Sequence, residues 1–358
     1  MTPVDPAEVE TPALVVDLDR LSANVTRMSD TVRSRGLSLR PHAKTHKCLE
    51  IARMQVDAGA AGLTVATLSE AEIFASAGFG DLFVAYPVYP VGAKAGRLRD
   101  LLSRVDLCVG VDNAAGASAL AEAAGGRPLR VVLEVDSGQH RTGVDPGAVV
   151  ALAEDCRALG LSVTGVFTHG GHSYGGPDAP PDAAADEGAA LGDAAARLTA
   201  AGFEVSVVSA GATPTTGAAR PEVVTEERPG SYVFYDRQQL SLGACSADDL
   251  ALTVATTVVS TGHGRFVVDA GSKALASDRP AWLHGHGWVP SLGEAYVTTL
   301  SEHHGIVEGA SRTPAVGEVV QVVPNHVCTV VNLFDDYVVV RGDTVVDRWR
   351  IAARGRNT

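Results

Sequence analysis

The stretch Leu37-Ser38-Leu39-Arg40-Pro41-His42-Ala43-Lys44-Thr45-His46-Lys47 runs from a short apolar segment into a cluster of basic side chains. Pro41 cannot donate to a strand ladder, so it marks a strand end rather than a strand middle. A lysine projected from such an end can be desolvated, which lowers its pKa toward neutrality. A neutral lysine can form a Schiff base with an aldehyde and later act as a base. The alternative for these residues alone is a solvated basic loop.

Outward from this stretch, β-rich runs alternate with helix-length segments from about residue 13 to 245. Ala13 to Asp17 reads as a strand, and Leu21 to Arg35 as a helix with Leu21, Val25, Met28 and Val32 at helical spacing. Thr64 to Ala66 reads as a strand, followed by a helix with Ser69 as N-cap and Glu70 and Glu72 near its positive end. Further strands are expected at Leu82 to Tyr86, Leu107 to Val111, Leu129 to Val135, Leu161 to Phe167 and Val205 to Val208. With Leu37 to Leu39 and a run near Tyr232 to Phe234, the count is eight or nine.

That order implies a parallel sheet, and eight strands close a (β/α)8 barrel of the triosephosphate-isomerase type. An open doubly wound sheet is the structural alternative. No Gly-x-Gly-x-x-Gly follows the first strand, which argues against a dinucleotide site.

After about residue 246 the texture becomes strand-like, at Leu252 to Val259, Arg265 to Asp269, Glu318 to Val323, Cys328 to Leu333, Tyr337 to Arg341 and Thr344 to Ile351. Pro177 to Glu187 reads as a surface loop entering a helix. The expected organisation is a barrel over residues 12–245 and a mainly antiparallel β domain over 246–358, with residues 1–11 packing against the latter.

Composition bounds the function. The 358 residues suffice for two domains, and 46% are hydrophobic. Acidic residues outnumber basic ones, 42 to 29, for a net charge of −13, which argues against nucleic-acid binding. No apolar run reaches the ~20 residues of a membrane span, and the polar, acidic N-terminus lacks a signal peptide's pattern. The five cysteines are scattered and odd in number, so a reducing cytoplasm is the expected location.

In a barrel, chemistry gathers at the C-terminal strand ends. Lys44 falls at one such end. Glu134, Asp136, His140 and Arg141 follow another, and His169, His172 and Tyr174 follow the next. Ser209-Ala210-Gly211-Ala212-Thr213-Pro214-Thr215 and Arg228-Pro229-Gly230-Ser231-Tyr232 are small-residue loops whose backbone N–H groups could cradle a phosphate; ordinary tight turns are the alternative. In the β domain, His326 and Cys328 at i and i+2 would share one face of a strand and suit a divalent metal such as zinc. A buried cysteine beside a satisfied histidine is the bland reading. His303 and His304, or His284 and His286, are further candidate ligands, with solvated loops and turns as their alternatives.

Together these pieces resemble the D-serine dehydratase and D-threonine aldolase group of fold-type III pyridoxal-phosphate enzymes, related to alanine racemase. The resemblance rests on Pro41-His42-Ala43-Lys44-Thr45-His46-Lys47, Glu134-x-Asp136-x-Gly138-x-x-Arg141-x-Gly143, Thr168-His169-Gly170-Gly171-His172, Gly211-Ala212-Thr213-Pro214 and His326-x-Cys328, in order along the chain.

It implies a homodimer in which Lys44 holds pyridoxal 5'-phosphate. Arg141 would approach the phenolic oxygen, His169 lie against the ring and Tyr174 lie near the pyridine nitrogen. Thr213, Gly230 and Ser231 would take the phosphate. His326 and Cys328 would hold a divalent metal, zinc first, with manganese or magnesium as alternatives. In that group the dehydratases tend to show His-x-Cys and the aldolases His-x-Asp, so Cys328 favours dehydration of a 3-hydroxy-D-amino acid such as D-serine or D-threo-3-hydroxyaspartate. The alternatives are retro-aldol cleavage of the D-threonine aldolase kind and a non-catalytic pyridoxal-phosphate carrier.

Overall fold

A computed structural model describes residues 9–358. The chain divides into two compact units. One comprises Arg27–Lys44, Ala52–Gly230 and Arg356–Thr358; the other comprises the N-terminal segment through Thr26, Thr45–Ile51 and Ser231–Gly355.

The first strand, β1 (Ala13–Asp17), is followed by β2 (Ser38–Leu39), β3 (Leu63–Val65), β4 (Asp81–Pro87), β5 (Asp106–Val111), β6 (Arg130–Glu134), β7 (Ser162–Phe167), β8 (Val207–Ala210) and β9 (Glu226–Glu227). Strands β2 to β9 form one parallel sheet in the order β2-β9-β8-β7-β6-β5-β4-β3. Its two edges meet where the chain beyond β2 reaches β3. His42 bridges Thr64, Thr64 N–H donates to the Pro41 carbonyl at 2.9 Å, and Ala43 N–H donates to the Thr64 carbonyl at 2.8 Å. The eight strands thus close a barrel, with helices between successive strands from β2 to β8, which removes the unpaired edges an open sheet would leave. Inside it, Phe83, Cys108, Val132 and Phe167 form a buried cluster, with the two phenyl rings edge to face at 5.2 Å.

The second unit is antiparallel and β-rich. β10 (Leu252–Gly262), β11 (Arg265–Val268), β12 (Gly287–Val289), β13 (Ala295–Leu300), β14 (Gly305–Glu308), β15 (Val319–Pro324), β16 (Asp336–Arg341) and β17 (Thr344–Arg350) join β1 in the order β11-β14-β13-β12-β15-β10-β1-β16-β17. A register shift between Val258 and Ser260 lets the long β10 also pair with β11.

Several expectations are corrected. β1 is not a barrel strand; it pairs antiparallel with β10 and parallel with β16. The division of the chain accordingly departs from 12–245 and 246–358 at both ends of the barrel segment. Residues 1–8 of the expected 1–11 segment lie outside the described residues; Val9 packs with Ala13, Val15, Ala255, Val338 and Val340.

Tyr232 to Phe234 is not a strand but largely a 3-10 turn, Ser231–Val233, fully buried by its aromatic side chains. The eighth barrel strand is instead the pair Glu226–Glu227. The cap of the helix Leu68–Ser76 is Thr67, whose hydroxyl accepts from Glu70 N–H, rather than Ser69. Cys328 to Leu333 is mostly helical, Val327–Val331, because the buried Asp236 carboxylate accepts the Val327 N–H at 3.0 Å and caps the turn.

Candidate active site

At the C-terminal ends of the barrel strands, the sequence-identified groups fall on loops that leave successive strands. Lys44 lies in the turn after β2, half-buried, two residues past the His42 bridge that closes the barrel. Pro41 ends that strand as the sequence required, and Lys44 N–H approaches His42 Nδ1 at 3.4 Å.

Arg141 is exposed in the loop after β6. His169 is half-buried after β7, with its ring 6.4 Å from that of Tyr174 on the short turn Gly171–Tyr174. Burial, then the cationic Lys44, Arg141 and Arg228, hold the His169 pKa well below the ordinary value, so it is a neutral imidazole at physiological pH. The charges of Lys44, Arg141 and Arg228 therefore converge on one ring.

Two carboxylates meet this cluster from below. Glu134, at the end of β6, is buried; its Oε1 accepts from Thr142 Oγ1 at 2.9 Å, while Oε2 has no partner. Burial raises its pKa, opposed by Thr142, Arg141 and other neighbours.

Glu187, on the helix Ala179–Ala200, accepts the Gly170 and Gly211 N–H groups at 2.9 and 3.1 Å. Arg228 is buried with its guanidinium on the Thr168 carbonyl and Ser209 Oγ, over the rings of Phe83 and Phe167. Neither Glu187 nor Arg228 was assigned a role from sequence. Glu187 sits in an alanine-rich helical run with no local signal, and only its packing reveals it.

The small-residue loop after β8 carries a distinctive feature. Thr213 is 5% exposed and its Oγ1 has no hydrogen-bond partner. A buried hydroxyl left so costs about 1–3 kcal/mol, and a phosphate oxygen would satisfy it. The residues of the barrel end therefore fit pyridoxal phosphate: a lysine at a strand end, a neutral imidazole beside it and an orphan donor in a glycine-containing loop. Gly230 is half-buried and Ser231, which opens the 3-10 turn, is buried in the other unit.

In the second unit, His326 and Cys328 do not share a strand face, since the chain turns helical at Val327. Their side chains nonetheless hydrogen bond to each other. Cys328 Sγ also lies 3.2 Å from Oγ1 of Thr45, the residue that follows Lys44 in the chain. His326 Nδ1 is 2.9 Å from Asp278 Oδ2.

Burial alone disfavours a charged His326 ring, but Cys328, Asp278 and Asp236 outweigh it and push its pKa up to about 11. Positive charge is thus favoured here, and with a thiol and an imidazole as donors the pair fits a divalent metal in an open site. Among the described residues no three His, Cys, Asp or Glu side chains form a ready-made cage.

The other histidines do not extend the pair. His303 and His304 are exposed in the turn between β13 and β14. The His284 carbonyl accepts from Arg237, and its ring packs edge-on against Tyr296 at 5.3 Å. Of the other lysines, Lys47 donates to Asn332 Oδ1 at 2.9 Å and Lys273 pairs with Glu302 at 2.6 Å.

Comparison with known proteins gives a consistent result. Residues 16–238 match the alanine racemase N-terminal domain and residues 251–340 a putative serine dehydratase domain. The chain is 36% identical to the D-threo-3-hydroxyaspartate dehydratase of Delftia sp., covering 95% of this chain and 97% of that one. It is 34% identical to the D-threonine aldolase of Arthrobacter sp., covering 99% and 95%.

The solved Delftia dehydratase superposes with a TM-score of 0.89 at 36% identity over 96% of this chain and 97% of that one. A cysteine-to-alanine mutant of the same enzyme is described as being in a metal-free form. The D-threonine aldolase of Filomicrobium marinum gives 0.89 at 32% identity over 100% and 99%. The alanine racemase of Clostridium difficile, at 15% identity, a TM-score of 0.68 and coverage of 96% and 99%, shares the fold.

Proposed function

Because the chain belongs to the D-serine dehydratase and D-threonine aldolase family of fold-type III pyridoxal-phosphate enzymes, we propose that it is a metal-dependent dehydratase of 3-hydroxy-D-amino acids such as D-serine or D-threo-3-hydroxyaspartate. The observation that carries this reading is the hydrogen-bonded pair His326 and Cys328, which offers a thiol where the resemblance associates aldolases with a carboxylate. The five cysteines form no disulfide among the described residues, in keeping with work in a reducing compartment such as the cytoplasm. Among the described residues no helix is long and apolar enough to cross a membrane. The working form in this reading is a homodimer.

Bound at the barrel end, pyridoxal phosphate supplies an electron sink for charge developing at the substrate Cα, while a divalent ion at the His326–Cys328 pair supplies Lewis acidity to the β-hydroxyl. The protein's own groups divide the remaining work. Lys44 would hold the cofactor through its amine and, once freed, its Nζ would take the Cα proton. His169, held neutral by burial and its cationic neighbours, would lie against the ring. Arg141 would hold the phenolic oxygen and Tyr174 would lie near the pyridine nitrogen. Thr213 Oγ1, with Gly230 and Ser231, would take the phosphate. His326 and Cys328 orient the hydroxyl for departure. Loss of the Cα proton and the hydroxyl as water leaves an enamine, which hydrolyses to a 2-keto acid and ammonia.

A second reading is favoured by the 34% identity to D-threonine aldolase over nearly the whole chain. There the β-hydroxyl loses its proton and Cα–Cβ breaks, giving glycine and an aldehyde. Incubating holoenzyme with D-serine, D-threonine and D-threo-3-hydroxyaspartate, with and without zinc or manganese, separates the readings. Keto acid and ammonia are expected from D-enantiomers. Glycine as the main product from D-threonine, with negligible ammonia from every substrate, establishes the aldolase. No turnover of any of them by cofactor-loaded protein establishes a non-catalytic carrier.

A further inference from the structure

Glu187 is 3% exposed and belongs to no motif, yet it is placed between two loops of the barrel end. One carboxylate oxygen, Oε1, accepts from Gly170 N–H at 2.9 Å and from Gly211 N–H at 3.1 Å. Gly170 directly follows His169, and Gly211 lies two residues before Thr213. The Thr215 hydroxyl, which accepts Ala212 N–H at 2.9 Å and donates to the Ala212 carbonyl at 3.3 Å, lies beside the same carboxylate and favours its ionised form.

The approach is close enough to dictate glycine: a Cβ at Gly170 would lie 2.7 Å from Glu187 Cδ, and Gly211 has a φ of +92°. The loop after β7 and the loop after β8 are thereby tied to a single oxygen on the helix behind them.

We infer that Glu187 is a positioning residue that holds the His169 turn and the Thr213 loop at a fixed separation, so that a ligand engaging both its ring site and its phosphate site binds in one register. The inference rests on the pyridoxal-phosphate reading. Its physical content is a coupling between two subsites. A ligand spanning both gains from their fixed spacing, because binding one end presents the other at high effective concentration. A ligand filling one subsite gains nothing from it.

The test compares pyridoxal phosphate, pyridoxal and inorganic phosphate by titration of the apoprotein, following absorbance, fluorescence and competition. Glu187→Asp keeps the charge and loses the reach; Glu187→Gln keeps the reach and an acceptor oxygen. Glu187→Asp should weaken pyridoxal phosphate about tenfold or more and each half-ligand about threefold or less, with a diminished visible circular dichroism of the bound cofactor. Glu187→Gln should stay within about threefold of the parent for all three.

Gly170→Ala, which pushes the turn off Glu187 while leaving residue 187 itself unchanged, should reproduce the Glu187→Asp pattern and serves if that variant does not fold. Equal weakening of all three ligands, or none, overturns the inference. Parent protein that binds no pyridoxal phosphate overturns the functional reading itself, and with it the inference.

Discussion

The Nδ1 atom of His326 lies 2.9 Å from Oδ2 of Asp278. An ionised carboxylate can only accept, so this contact fixes a ring proton on Nδ1 and leaves Nε2 as the nitrogen for a metal, which would displace the second ring proton on binding. Outer carboxylates of this kind orient a ligating histidine, and their loss costs about 10–100-fold in metal affinity. Asp278→Asn should therefore raise the dissociation constant for zinc by that factor, measured by chelator competition, while pyridoxal-phosphate affinity stays unchanged. Unaltered zinc affinity would remove Asp278 from the site.

Chelation of the parent enzyme should abolish turnover and leave the visible absorption of the bound cofactor largely intact. Cys328→Asp should keep the metal but shift the ratio of dehydration to aldol cleavage, read as ammonia against glycine from one D-substrate. Full activity in metal-free protein would rule out a role for the pair.

Borohydride reduction of the holoenzyme followed by peptide mapping should label Lys44. Lys47 and Lys273 should stay unlabelled, since their amines are engaged with Asn332 and Glu302. Lys44→Ala should lower turnover by at least the ~10²–10⁴-fold that a positioned acid–base group contributes. A label on another lysine sinks the assignment.

Thr213→Val tests the phosphate loop by two effects of opposite sign. The buried Oγ1 has no partner within the protein, so its isosteric replacement should stabilise the apoprotein by about 1 kcal/mol or leave it unchanged. The same change should weaken pyridoxal phosphate by about 10–100-fold, the value of a hydrogen bond to a charged acceptor. Loss of apoprotein stability without loss of affinity would show a purely structural hydroxyl.

Glu227, on β9, gives a pH dependence. Burial, opposed mainly by Arg35 3.7 Å away, raises its pKa to about 7. The folded protein therefore binds this proton more tightly than the unfolded chain. Its contribution to stability is full below about 4.5 and is lost as pH rises through 7, to a total of about 3 kcal/mol. Glu227→Gln should flatten the fall in melting temperature between pH 5 and 8. An unchanged slope would refute the assignment.

The alternation of strand and helix between residues 37 and 210 was legible locally because hydrophobic periodicity and strand-ending residues are local properties. The same holds for Lys44, Arg141, His169 and Thr213, which fall where barrel strands end. Pairing partners are not local. Ala13–Asp17 is a short, continuous apolar run that reads alike in a parallel barrel and in an antiparallel sheet; its contacts with β10 and β16 decide between them. The two glutamates of β9 carry no strand signal and are held in the barrel by β8 on one side and β2 on the other.

Side-chain capping overrode propensity in the other direction. Cys328 to Leu333 has β-branched residues, yet Asp236, ninety-one positions before Val327, caps that segment as a helix. Sequence alone thus determined the family and the alternation of strand and helix in the barrel segment between residues 37 and 210. Only the tertiary structure decided the membership of β1, the Asp278 contact that orients His326 and the double engagement of Glu187. Each of these is a hydrogen-bonding or packing choice between segments far apart in the chain, which no window of residues encodes.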